Sequence, residues 1–191
     1  EFLHFIVTDR QTALWPDESK FNLAGNDSRR IFVWRRQNES YKPECLQGTV
    51  KHAGGSIMVW GCKSSFRPGQ LHQVEGIMNG TMYRDILRKH LLPSATALFP
   101  ATFPWIFQQD NDPKHTFKVA KDFLAVNGVQ VLHWPPQSPD LNPIENLWDE
   151  IDRRCAGKRA SNKHELWDFI SAAWTSITAV DCKKLTLCQP G

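Results

Sequence analysis

Two stretches, Gln108-Gln109-Asp110-Asn111-Asp112-Pro113-Lys114-His115 and Trp134–Glu150 (WPPQSPDLNPIENLWDE), decide how this chain is read. Each sets a carboxylate beside Pro and Asn residues that fix the local backbone. Asp110 follows the apolar run Trp105-Ile106-Phe107, and Asp112-Pro113 supplies a helix N-cap with Pro at the first helical position. Phe117, Ala120, Phe123 and Leu124 then form one apolar stripe, Asn127-Gly128 is a helix stop, and Val129–Trp134 reads as a strand. Asn142-Pro143-Ile144-Glu145 opens a further helix with Leu147, Trp148 and Ile151 on its apolar side. Thirty-four residues separate Asp110 from Glu145, enough for a helix, a strand and a loop.

Working outward, Ala13-Leu14-Trp15 predicts the tail of a strand that ends at Pro16, directly before Asp17-Glu18. Ile31–Trp34 is a short strand candidate between the pairs Arg29-Arg30 and Arg35-Arg36. Ser56–Trp60 is a continuous apolar run and predicts a buried strand. Ser64–Gly69, which contains the turn signal Pro68-Gly69, predicts a turn, and Leu71–Ile77 is expected to pair back as a hairpin. Asn79 offers an N-cap for a helix with Met82, Ile86, Leu87 and Leu91 on one face, limited by Pro93. Near Asn162 a final helix begins, with the stripe Leu166, Phe169, Ile170, Ala173, Trp174 and Ile177. Antiparallel strands followed by alternating α and β units predict an α/β fold: a mixed sheet covered by helices. In open α/β sheets ligands gather at the carboxyl ends of strands, where Asp17 and Asp110 are expected.

Composition bounds the function. At 191 residues the chain suits one domain with a real core. Its 41% apolar content, eight Trp and eleven Phe argue against disorder. A net charge of +3 permits a nucleic-acid partner without requiring one. Five Cys without a CxxC pair disfavour a disulfide framework or zinc knuckle, so reduced intracellular thiols are expected. The seven His show no HxxxH or HExxH spacing for zinc. No run approaches the ~18–20 apolar residues of a membrane span, and Glu1–Val7 lacks the basic start of a signal peptide.

Three carboxylates at the ends of different elements suit divalent metal. Mg takes few protein carboxylates and leaves positions for water and phosphate. Two such ions about 4 Å apart activate a nucleophile and stabilise a leaving oxygen. Each acid also has an ordinary reading. Asp110 is either a site residue or a loop Asp, although Asp112 fills the capping role better. Glu145 stands at N3 after Asn142 and reads first as a capping-box partner favoured by the helix dipole. Asp17 and Glu18 point to opposite faces of an extended segment, and the residues alone do not choose between them. Asp149, Glu150 and Asp152 read as a solvated face, and His115, near Asp110, reads first as a first-turn surface residue and otherwise as a group that assists at the site. Arg29, Arg30, Arg35, Arg36, Lys51, Lys114, Lys118, Arg153 and Arg154 are candidates for phosphate contacts, against a plain solubility role for each. The Arg153–Arg159 cluster also fits a nuclear-localisation pattern.

Four segments carry a family resemblance: Asp17-Glu18-Ser19-Lys20-Phe21; Thr49-Val50-Lys51-His52 with Gly54–Cys62; Gln109–His115; and Ser138–Trp148. They resemble the catalytic domain of Tc/mariner transposases from about Trp15 to about Leu185. The resemblance implies a ribonuclease-H-like fold, a mixed five-stranded sheet flanked by helices, over 15–185. It sets apart 1–14 as a poorly matching stretch and 186–191 as a tail. It implies a triad of Asp17, Asp110 and Glu145 that binds two Mg (or Mn) ions, thereby choosing Asp17 over Glu18 and Asp110 over Asp112. The implied chemistry is hydrolysis at transposon ends and attack of the freed 3′-hydroxyl on a target duplex. The implied setting is nuclear, with DNA and a second copy of the chain (a homodimer) as partners. A helix-turn-helix reader is missing, Pro16 stands where a small polar residue is usual and is expected to weaken pairing of a central strand, and the Lys63–Gln70 turn lacks the usual glycines. A truncated copy is therefore expected, with a non-catalytic remnant that binds DNA or a protein as the alternative function. A ribonuclease acting on RNA–DNA hybrids fits the Ser138–Trp148 segment less well.

Overall fold

The computed structural model describes residues 11–23, 55–109, 115, 117–132 and 142–187. Strands β1 (Ala13–Asn22), β2 (Ser56–Lys63), β3 (Pro68–Val74), β4 (Ile106–Gln108) and β5 (Val131–Leu132) form one five-stranded sheet in the order β3-β2-β1-β4-β5. The β1–β2 and β2–β3 pairs are antiparallel, and the β1–β4 and β4–β5 pairs are parallel. The mixed sheet expected from the sequence is therefore present. The Ile31–Trp34 strand candidate lies outside the described residues.

The hairpin forms with its turn inside the expected Ser64–Gly69 stretch, although Pro68-Gly69 themselves already belong to β3. Ser64 organises the turn. Its Oγ accepts from the N–H groups of Phe66 (3.1 Å) and Arg67 (3.2 Å), while its own N–H donates to the Arg67 carbonyl (3.0 Å). A local hydroxyl can replace a Gly-based turn in this way.

β1 corrects a second expectation, because it runs through Pro16 and Asp17 to Asn22 and pairs with β2 without a break from Trp15 to Asn22. The reason is directional. Thr12 accepts from the Ile106 N–H on the β4 side, and backbone groups alternate sides along a strand, so Pro16 turns its missing donor the same way. Pairing with β4 ends at Leu14. The absent N–H therefore breaks no bond of the β1–β2 ladder, and the loss falls on the β4 side, where pairing stops at Leu14.

Alternation along β1 builds two cores. Ala13, Trp15 and Phe21 join Ile57 and Val59 of β2 beneath helices α4 (Pro143–Cys155), α5 (Lys163–Thr175) and α6 (Ala179–Leu187). Leu14 joins Trp60, Cys62 and Phe107 on the opposite face, beneath α1 (Gly80–Ile86), α2 (Leu92–Leu98) and α3 (Lys118–Val126). Asn79 caps α1 as expected, its Oδ1 accepting from Met82 N (2.9 Å). Pro93 does not end the helical path. A π-helical turn at Leu87–Leu91 precedes it, with the Leu92 N–H bonded to the Leu87 carbonyl, and Pro93 then falls in the first turn of α2, where its missing donor costs least.

Asn162 caps α5, accepting from Glu165 N (2.9 Å). α5 is not the final helix: α6 follows it to Leu187, into the stretch expected as a tail. α6 is fastened to the sheet by a fully buried cation, Lys63, which donates to Thr186 Oγ1 (2.8 Å) and lies 5.6 Å over the Trp15 ring.

Gly61 lies opposite Asp17 in the β1–β2 register, on the face that α4 and α5 cover. A Cβ at Gly61 would come within 2.6 Å of Trp174 and 2.9 Å of Trp148. Two indoles thus occupy the space a side chain would need. Gly61→Ala is expected to cost about 1–3 kcal/mol through overpacking, read as a lower melting temperature by circular dichroism. An unchanged transition would show that the two rings give way freely.

Candidate active site

Asp17 stands in mid-strand on β1, between two flanking residues of opposite duty. Its own side chain faces α4, where Trp148 Nε1 donates to Oδ2 (3.1 Å). Glu18 faces the other way and pairs with His115 Nε2 (3.2 Å). Opposite faces for residues 17 and 18 were legible from strand geometry; their partners were not. His115 is buried rather than a surface residue, at 4% exposure, because it is stacked on Tyr83 (ring centroids 4.3 Å apart) and closed in by Glu18. Tyr83 Oη in turn lies 3.4 Å from Gln109 Oε1. Buried partners thus hold both Gln109 and His115, the residues either side of 110–114.

Glu145 lies in the first turn of α4, exposed, with its N–H bonded to the Asn142 carbonyl (3.1 Å). The Asn142 side chain makes no capping bond, and its buried Oδ1 has no hydrogen-bond partner. The helix start rests on Pro143 and backbone geometry rather than on the Asn142 side chain of the expected box.

Asp17 and Glu145 meet electrostatically. Burial, then the charge of Glu145 and then that of Glu18, push the Asp17 carboxyl up from 3.8 to about 8, against hydrogen bonds that favour the anion. Two carboxylates from different elements converge on one partly desolvated spot, and a cation between them would offset both burial and repulsion. Their donors are hard carboxylate oxygens, which fit Mg or Mn. Asp110, Lys114, Arg29, Arg30, Arg35, Arg36 and Lys51 lie outside the described residues.

Among the remaining cations, Lys118 is exposed on α3 and pairs with Asp122 (2.6 Å). Arg153 is exposed and pairs with Glu150. Arg154 is drawn inward: it donates to Glu150 (2.7 Å), Ser176 (2.7 Å) and Asp181 (3.0 Å), tying α4 to the end of α5 and the start of α6. Glu150, expected on a solvated face, is buried at 8% exposure because it takes these two arginines. Trp148 is the site residue the sequence reading missed. It was legible only as an apolar helix position, although a buried indole N–H generally needs an acceptor.

A profile described as DDE superfamily endonuclease matches residues 12–167. The chain belongs to this family. The DDE chain is 45% identical over 164 residues to the Transposable element Tcb1 transposase of Caenorhabditis briggsae, covering 86% of this chain and 59% of that protein. It is 42% identical over 177 residues to the Transposable element Tc1 transposase of Caenorhabditis elegans, covering 93% and 64%. It therefore spans about three fifths of the curated relatives it matches. The expected Tc/mariner kinship is borne out by these matches. In fold it is similar to the catalytic domain of Mos1 mariner transposase, with a TM-score of 0.71 at 14% identity, covering 96% of this chain and 80% of that one. It is also similar to the Mos1 paired end complex with Mn, with a TM-score of 0.69 at 15% identity, covering 93% and 52%. The ribonuclease-H-like sheet expected from the sequence is thus the fold observed. Among the described residues no helix is long and apolar enough to cross a membrane.

The raised Asp17 pKa predicts how metal-free DDE protein responds to pH. An acid whose folded pKa lies above its unfolded value adds stability at low pH and loses it as pH rises through the folded value. This contribution is expected to lower the melting temperature between about pH 4 and pH 8. Asp17→Asn keeps an acceptor for Trp148 and removes the buried charge, so it should melt higher than wild type at the alkaline end. Equal pH slopes for the two proteins would contradict the raised Asp17 pKa.

Proposed function

We propose that this chain is a DDE transposase catalytic domain that cleaves DNA strands and transfers them to a target duplex, with Asp17, Asp110 and Glu145 as the acids that hold two Mg or Mn ions. The single observation that carries the reading is the convergence of Asp17 with Glu145, where burial first and the Glu145 charge second raise the Asp17 pKa. The β1–β4 register supports Asp110 as the third acid. Leu14 pairs with Phe107 in parallel strands, and Asp17 and Asp110 each stand three residues further on in the sequence.

Bound divalent ions would activate the attacking oxygen and stabilise the leaving one. The chain's own part is to hold the acids. β1 holds Asp17 in a paired strand, and the first turn of α4 presents Glu145 at an exposed position. Exposed Lys118 and Arg153 are available to phosphate, whereas Arg154 reads better as a brace between helices. The DNA substrates are transposon ends and target, consistent with the similarity to transposable-element transposases and to the Mos1 paired end complex. Exposed Arg153, Lys158 and Arg159 support a nuclear setting, and the paired-end relative supports action as a homodimer.

Purified protein is expected to nick supercoiled plasmid in the presence of Mn, with nicking abolished by Glu145→Ala and by Asp110→Ala at unchanged circular dichroism. Nicking that survives either substitution would sink the assignment.

A further inference from the structure

The indole of Trp148 does more than fill the core. Its Nε1 donates to Asp17 Oδ2 (3.1 Å), and it stands three residues after Glu145, one turn along the same helix. One helical turn of α4 therefore carries both an acid and the donor that grips the other acid. The ring has little freedom to move. It is 4% exposed, meets Phe21 edge-on at 6.1 Å and lies 5.2 Å from Trp174. Trp174 is itself fixed by its Nε1 bond to the Gly69 carbonyl on β3 (3.0 Å). Beneath both rings Gly61 leaves the space they occupy, directly across the ladder from Asp17. Side-chain donors behind a ligating carboxylate fix which oxygen it offers and at what angle.

We propose that Trp148 is a positioning residue for the metal site: by holding Oδ2 of Asp17 it turns the carboxylate towards Glu145 and sets the separation of β1 from the first turn of α4. This rests on the reading of Asp17 and Glu145 as metal ligands. A residue that only fills space could be replaced by another ring without effect on metal affinity. A positioning residue could not, because the N–H is the operative group.

The test is calorimetric titration of the whole chain with Mn, comparing wild type with Trp148→Phe and with a variant carrying benzothienylalanine at 148. The latter keeps the bicyclic shape and replaces the N–H with sulfur. Both variants are expected to bind Mn about tenfold more weakly, the scale of lost second-layer partners at metal sites. In the plasmid assay kcat should fall while KM for DNA stays the same. If Trp148→Phe fails to fold, the benzothienylalanine variant alone decides. Wild-type Mn affinity in a folded variant overturns the proposal and leaves the metal reading standing. Wild-type protein that binds no Mn overturns both.

Discussion

The contact on which the site depends is the seating of α4 on β1 over the bare backbone of Gly61. Close approach there lets two indoles pack over the sheet, and one of them reaches a carboxylate in the middle of a strand. Any side chain at position 61 would occupy the space those rings need. Packing and chemistry are therefore the same constraint at this point. The apolar face of α4 buries Ile144, Leu147, Trp148 and Ile151, and that burial holds Glu145 beside Asp17 despite their mutual repulsion.

The opposite face of β1 answers with a different solution. Glu18 is almost as enclosed as a core residue, yet it meets a histidine rather than a second acid. His115 stacks on Tyr83, which reaches Gln109 at the end of β4. Neighbouring carboxylates on one strand thus have opposite environments. One is paired and structural, and the other is pressed against a like charge. Such contrast between adjacent titratable groups is a general mark of functional sites. It supports Asp17 rather than Glu18 as the site acid proposed above.

Much of the architecture was legible locally. Asn79 and Asn162 cap helices where their side chains said they would, and the stripes of α4 and α5 face the core. The misreadings share one cause, which is that single-residue rules assume a standard partner. Pro16 was expected to disturb a central strand, but the β1–β2 ladder runs through it unbroken because its missing donor faces β4, where pairing stops at Leu14. Pro93 was expected to limit a helix, but a π-turn admits it. Glu150 was expected in solvent, but Arg153 and Arg154 cover it.

By itself the sequence determined most of the helix starts and apolar strands, though not α6 or the full length of β1, and which motifs carry acids, because caps, stripes and alternation act over a few residues. It also determined that Asp17 and Glu18 must part to opposite faces, since side chains alternate along any strand. Only the tertiary structure decided what each acid meets there. Asp17 finds Trp148, 131 residues away in the chain, and Glu18 finds His115, 97 residues away. Burial, pKa and hydrogen bonding at this site arise from contacts between distant segments, and no local pattern in the chain specifies them.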